Sequence, residues 1–188
     1  VGWRFMPTVD VQLTRLGVFD ADRDRLHGEQ HLVGIWEEGG ATDPLRSVTL
    51  DEAVSNIPET SPQGALFHFG DVDPLLLKKD RVYRVGATLY AGLVTAGSGA
   101  GAVDFDLFAA MDDAAGNPPV YIDPSIIYLG AAYAITGPTN QLAFPSLTDA
   151  PFDYTLGANI DLSPVPVPAA GLLLASGLAG LAGIRRRR

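Results

Sequence analysis

Arg81-Val-Tyr-Arg-Val-Gly-Ala-Thr-Leu-Tyr-Ala91 is the stretch whose reading decides the fold class. β-Branched and aromatic side chains crowd it, and these fit the pleated, half-buried surface of a sheet better than a helix. Shorter segments on either side carry the same signal. Gly2-Trp-Arg-Phe-Met6 reads as a first strand. Between Val9 and Phe19 the apolar alternation runs through Val11 and Leu13, then changes phase to Leu16 and Val18, which marks a bulge. Gln30–Glu37 is a strand with Leu32 and Trp36 on one face and Val33 and Ile35 on the other; Trp36 is expected to be buried. Further strands are expected at Ser47–Leu50, Ala65–Phe69, Leu75–Leu77, Val103–Phe108 (an edge), Val120–Ile122, Ile126–Ile135 and within Phe152–Leu162. A polar turn at Asp20–Arg25, the Gly39-Gly40 break and a long loop over 51–63 separate them, as do Gly97–Gly101 and loops around Pro138, Pro145 and Pro151. No amphipathic helix of ordinary length and no internal repeat interrupts this pattern. The expectation is an all-β domain built as an antiparallel β-sandwich.

Composition narrows the partners. Nine basic residues stand against 22 acidic ones before Ser163, so residues 1–162 carry a charge of −13. So acidic a surface argues against nucleic acid and against anionic lipid. It favours solubility and leaves room for divalent cations. The absence of cysteine excludes thiol catalysis and Cys-based zinc sites, and stability must come from the core.

The last two dozen residues follow a different rule. Ser163-Pro-Val-Pro-Val-Pro168 is a proline-spaced linker that holds the backbone extended. Ala169–Ile184 is uncharged and has one polar residue, Ser176, so a transmembrane helix is the natural state in lipid. Its 16 residues reach roughly 24 Å, short of the ~30 Å hydrocarbon core. Local thinning, or arginines reaching for the head groups, closes that gap. Arg185, Arg186, Arg187 and Arg188 stay cytoplasmic and act as a stop-transfer cluster, which places residues 1–162 outside. The alternative, a buried helix of a soluble domain, fits poorly with a segment that lacks a polar face and ends in four arginines.

Val165-Pro166-Val167-Pro168-Ala169, the apolar run and the arginine tail together resemble the PEP-CTERM type of sorting signal in its Val-Pro-Leu-Pro-Ala variant, with Val167 in place of leucine. The resemblance covers about 24 residues and implies export in a Gram-negative bacterium that makes exopolysaccharide. It also implies an exosortase-like membrane protease as partner, cutting near the proline motif after transient tethering to the inner membrane. Export carries the expectation of an N-terminal signal peptide ahead of Val1.

A second resemblance spans roughly residues 2–160. Gly2-Trp-Arg-Phe5, Leu16-Gly-Val-Phe-Asp20, His31-Leu-Val-Gly-Ile-Trp36 and Tyr83-Arg-Val-Gly-Ala87 are similar to an uncharacterised β-sandwich family of bacterial surface proteins. Arg25-Leu26 departs from the Gly-Leu turn of that family. The resemblance implies an Ig-like or jelly-roll sandwich with no assigned reaction.

Candidate chemistry is sparse. Asp20, Asp22 and Asp24 alternate in a way that suits a structural Ca²⁺ ion. Arg25 and His31, however, stand where an EF-type loop needs glycine and an acid, and Arg23 and Arg25 can neutralise the acids as a solvated, salt-bridged turn. His27 and His31 flank Glu29, but such a spacing gathers two zinc ligands only on a helix, and His31 opens a strand. Surface or packing roles suit these histidines better, and His68 lies in an apolar run. Gly97–Ala102 has dinucleotide-loop spacing but is followed by Val-Asp-Phe-Asp rather than a helix, and Ser98 lacks the setting of a nucleophile elbow. Trp3, Trp36, Tyr83, Tyr90, Tyr121 and Tyr128 are candidate sugar-stacking rings, though most aromatics of a sandwich are core. Asp104/Asp106 and Asp112/Asp113 are candidate glycosidase pairs, or simply solubilising charge.

The sequence therefore points to an exported, non-catalytic surface or biofilm-matrix protein associating with exopolysaccharide or other surface proteins, with no cofactor beyond a possible Ca²⁺. The alternatives are a carbohydrate-binding or carbohydrate-cleaving module, and a permanently anchored protein whose helix pairs through Ala175, Ala179 and Gly183.

Overall fold

The computed structural model describes residues 2–20, 26, 30–51, 57–60, 66–88, 123–134, 142–148 and 158–165. Among these there are nine strands and no helix: β1 (Gly2–Pro7), β2 (Val11–Asp20), β3 (His31–Glu37), β4 (Arg46–Leu50), β5 (Ile57–Thr60), β6 (Leu66–Leu77), β7 (Tyr83–Ala87), β8 (Ile126–Ala132) and β9 (Ala158–Pro164). They form two antiparallel sheets, one of five strands in the order β4-β3-β7-β1-β8 and one of four in the order β5-β6-β2-β9. The chain changes sheets between β1 and β2, β2 and β3, β4 and β5, β6 and β7, and β8 and β9. Its first two strands therefore lie beside its last two described ones, β1 with β8 and β2 with β9.

One core lies between the sheets. Trp3, Phe5, Val33, Ile35, Tyr83 and Val85 face it from one side, and Val11, Leu13, Leu16, Val18, Leu77 and Ala158 from the other. Alternate residues of each strand supply them, as the two-residue period of a pleated strand requires. The phase change inside β2 is a bulge, with both of its ladders shifting register between Leu13 and Arg15. The extra residue keeps Leu13 and Leu16 on the same inner face, where both are fully buried.

Two features differ from the pattern expected of the sequence. The described part of the first apolar run, 66–69, and the run 75–77 belong to one twelve-residue strand, β6, which pairs with β2 from Leu66↔Asp20 to Leu77↔Val11. Gly70 and Pro74 look like breakers. Gly70, however, lies under β4, where an added Cβ would meet Val48 at 2.7 Å and Leu50 at 2.8 Å. Pro74 stands against the β2 bulge, where its missing N–H costs no ladder bond. The loop over 51–63 contains β5, whose Pro58 is tolerated because β5 is the edge of its sheet.

The final strand begins at Ala158 and runs through Pro164, so the first two residues of the proline-spaced segment pair with β2, Ser163 with Gln12 and Pro164 with Val11. Among the described residues no helix is long and apolar enough to cross a membrane, which says nothing of a β-barrel. Ala169–Ile184 lies outside the described residues, as do Val103–Phe108, Val120–Ile122 and Gly97–Ala102.

Candidate functional site

The most elaborate polar arrangement among the described residues is on the outer face of the five-stranded sheet. Arg84 of β7 stands opposite Arg4 of β1 on one side and Trp36 of β3 on the other. Two guanidinium groups on adjacent strands repel unless a carboxylate joins them. Glu38, in the turn after β3, does so. Arg4 donates through Nε and Nη2 at 2.9–3.0 Å, and Arg84 donates through Nη2 at 2.9 Å. Burial pushes the Glu38 carboxyl up, but the hydrogen bonds from Arg84 and then Arg4 outweigh it and hold the group below its ordinary value of 4.5.

Residues 142–148 cover this face. Phe144 meets Trp36 edge-on at 6.2 Å and lies under the Arg84 guanidinium at 4.9 Å. Arg84 Nη1 donates to the Pro145 carbonyl, and Trp36 Nε1 donates to the Thr42 carbonyl at 2.8 Å. A bridge between Tyr133 and Leu147 pins the segment from its far side. Gly34 makes room for it, since a Cβ there would come within 2.7 Å of Leu142. Trp36 is thus fully buried, but under this covering segment rather than between the sheets. Chemically the arrangement is a clamp: arginine does not give up its proton at ordinary pH, and a carboxylate this well bonded is a poor base.

Of the residues expected from the sequence to form a sorting motif, only Val165 is among the described ones. Val165 follows β9 and is exposed; Pro166, Val167, Pro168, Ala169 and Arg185–Arg188 lie outside the described residues. β9 itself is firmly held. The buried Trp3 indole donates to the Ala158 carbonyl at 2.6 Å, and Arg15 Nε donates to Asp161 at 2.8 Å.

Asp20 is the last residue of β2, opposite Leu66. Asp22 and Asp24 lie outside the described residues, so the geometry of the candidate Ca²⁺ turn does too. Among the described residues no three His, Asp or Glu side chains gather to hold a metal ion. His31 is completely buried at the start of β3, with Nδ1 3.4 Å from the Thr88 carbonyl, and His68 is buried on β6. Of the aromatic residues weighed for sugar stacking, Trp3, Trp36 and Tyr83 are buried and Tyr128 is half-buried. Tyr90, Tyr121 and the four paired acids fall outside the described residues.

Sequence reasoning missed the clamp and also the aromatic cluster on the outer face of the four-stranded sheet. There the Phe69 ring folds over Gly17, whose added Cβ would meet it at 2.6 Å. Phe67 packs beside Phe69 and Phe19, and the Arg15 guanidinium sits 5.0 Å from the Phe69 centroid. The alternation of Phe67 and Phe69 was the only available signal. The glycines of the short motifs have structural work: a Cβ on Gly2 would overlap the Val85 carbonyl at 1.8 Å. No protein-family model matches the chain, and no curated protein or solved structure matches it either.

Proposed function

We propose that this chain is an exported surface or extracellular-matrix protein whose C-terminal segment is a sorting signal read by an exosortase-like protease. The observation that carries the reading is the order of parts after β9: Val165-Pro-Val-Pro-Ala169, then the uncharged run to Ile184, then Arg185–Arg188. Its support is physical. The prolines keep the processing segment extended, and the exposed Val165 starts it just beyond an edge strand. The helix anchors the chain in the inner membrane, and the arginines stop transfer. The two-sheet domain is the part delivered, a non-catalytic acidic module that associates with exopolysaccharide or surface proteins and avoids nucleic acid. Five changes of sheet among the nine described strands favour a jelly-roll over an Ig-like sandwich, in which hairpin-linked strands stay together more often.

The test is the intact mass of the protein recovered from the surface and medium of its native host. A C-terminus between Pro164 and Ala170 is expected. An end at Arg188 would overturn processing and leave the permanently anchored protein, which the small residues Ala175, Ala179 and Gly183 favour as a second reading. The carbohydrate-module alternative has no exposed ring on its side among the described members of the aromatic set.

A further inference from the structure

Three loops, Thr8–Asp10, Lys78–Val82 and Asp123–Ser125, stand together at one end of the two-sheet domain, next to the β3–β4 turn, whose Glu38 N–H donates to the Val82 carbonyl at 2.8 Å. Thr8 donates to the Ser125 carbonyl through its N–H at 2.7 Å and its hydroxyl at 3.0 Å, and the Asp80 N–H donates to the Pro7 carbonyl at 3.0 Å. Asp10 accepts from the Lys79 N–H at 2.8 Å and from Lys78 Nζ at 3.2 Å. The chain leaves the domain at this same end, because Val11, directly after the first loop, pairs with both Leu77 and Pro164.

Only Val165–Pro168 separate Pro164 from the uncharged run that begins at Ala169. Fully extended, that spacer reaches roughly 15 Å. A head-group layer is about 5–8 Å deep, so little more than one layer's depth remains between this end and the lipid. The loops suit such a neighbour. Val9 at their tip is 52% exposed, and the Lys78 and Lys79 side chains are 57% and 58% exposed. Within these loops Lys78, Lys79 and Arg81 match Asp10, Asp80 and Asp123 in number. At the adjoining β3–β4 turn Glu37 pairs with Arg81 at 3.5 Å, Arg4 and Arg84 neutralise Glu38, and Asp43 is exposed. Most of the described acids of this end are thus paired with a neighbouring lysine or arginine, which offsets locally the acidity that argues against anionic lipid as a partner.

We propose that this end is a membrane-facing surface: while the chain is tethered, Val9, Lys78 and Lys79 sit in an anionic phospholipid head-group layer and the acidic remainder points away. Lysine stems lie along the interface with their ammonium groups among the phosphates. The inference rests on the reading of Ala169–Ile184 as a membrane helix.

The absence of cysteine makes the test clean. Val9→Cys and Gln30→Cys, the latter exposed at the opposite end of the domain ahead of β3, each carry one environment-sensitive fluorophore. The full chain is reconstituted into vesicles of phosphatidylcholine and phosphatidylglycerol that contain a head-group quencher. Several-fold stronger quenching at position 9 than at position 30 is expected, with the difference reduced by Lys78→Gln/Lys79→Gln. A chain that floats with the vesicles but is quenched equally at both positions overturns the membrane-facing end alone. A chain that does not float with the vesicles overturns the membrane helix, and this inference with it.

Discussion

Glu38 carries more of the fold than its position in a turn suggests. Its two oxygens neutralise Arg4 and Arg84, and the Arg84 side chain is only 6% exposed. Removing the carboxylate charge leaves a nearly buried guanidinium without its counter-ion. Glu38→Gln is therefore expected to cost about 1–3 kcal/mol in urea unfolding. The same residue sets an acid limit. Its folded value lies below the unfolded 4.5, so its contribution is complete above about pH 4.5 and disappears as pH falls through the folded value. Stability measured against pH should fall less steeply below about pH 4.5 in Glu38→Gln than in the parent, and equal slopes would remove Glu38 from the account. Neither arginine announces this role in the sequence. Arg4 and Arg84 merely occupy outward positions of two strands 80 residues apart in the chain, and only the β1–β7 register makes them neighbours.

At the scale of the element, β9 is the strand that ties the two-sheet domain to the proline-spaced segment after it. It pairs with β2 over seven residues and takes the Trp3 indole hydrogen bond. A chain ending after Val165 is expected to melt as the full chain does. One ending after Gly157 should lose its cooperative transition in thermal circular dichroism, because β2 loses a ladder and the core loses Ala158. Survival of that transition would make β9 an accessory. The sequence Asp20–Asp24 is expected to bind no ion, with an unchanged melting midpoint on adding Ca²⁺; a rise in the midpoint would assign an ion site there. Strands were legible where alternation was regular, as in β1, β3 and β7, and even the β2 bulge showed as a change of phase. β6 was not legible, because Gly70 and Pro74 are breakers by local rules. Their tolerance comes from β4 above one and the β2 bulge beside the other.

The whole molecule divides by charge as well as by sequence. Residues 1–162 hold every acidic side chain, and the four terminal arginines lie beyond the apolar run. On the sorting reading those arginines arrest transfer. Arg185–Arg188→Gln is then expected to reduce the processed form in the host, seen by intact mass, and an unaltered yield of it would strip the cluster of that role. Much of this was within reach of the sequence alone: the all-β class from two-residue alternation, the bulge from its phase, and the order of linker, apolar run and arginines from composition. Those properties are local, written in neighbouring side chains. The tertiary structure alone decided which strands became neighbours, that β1 and β2 close against β8 and β9, and that Arg4, Glu38 and Arg84 meet, with Arg84 stacked on Phe144. It also decided that the proline-spaced segment starts inside a sheet. Pairing between strands far apart in the chain depends on the packing of two whole faces against each other, and no window of sequence contains both partners.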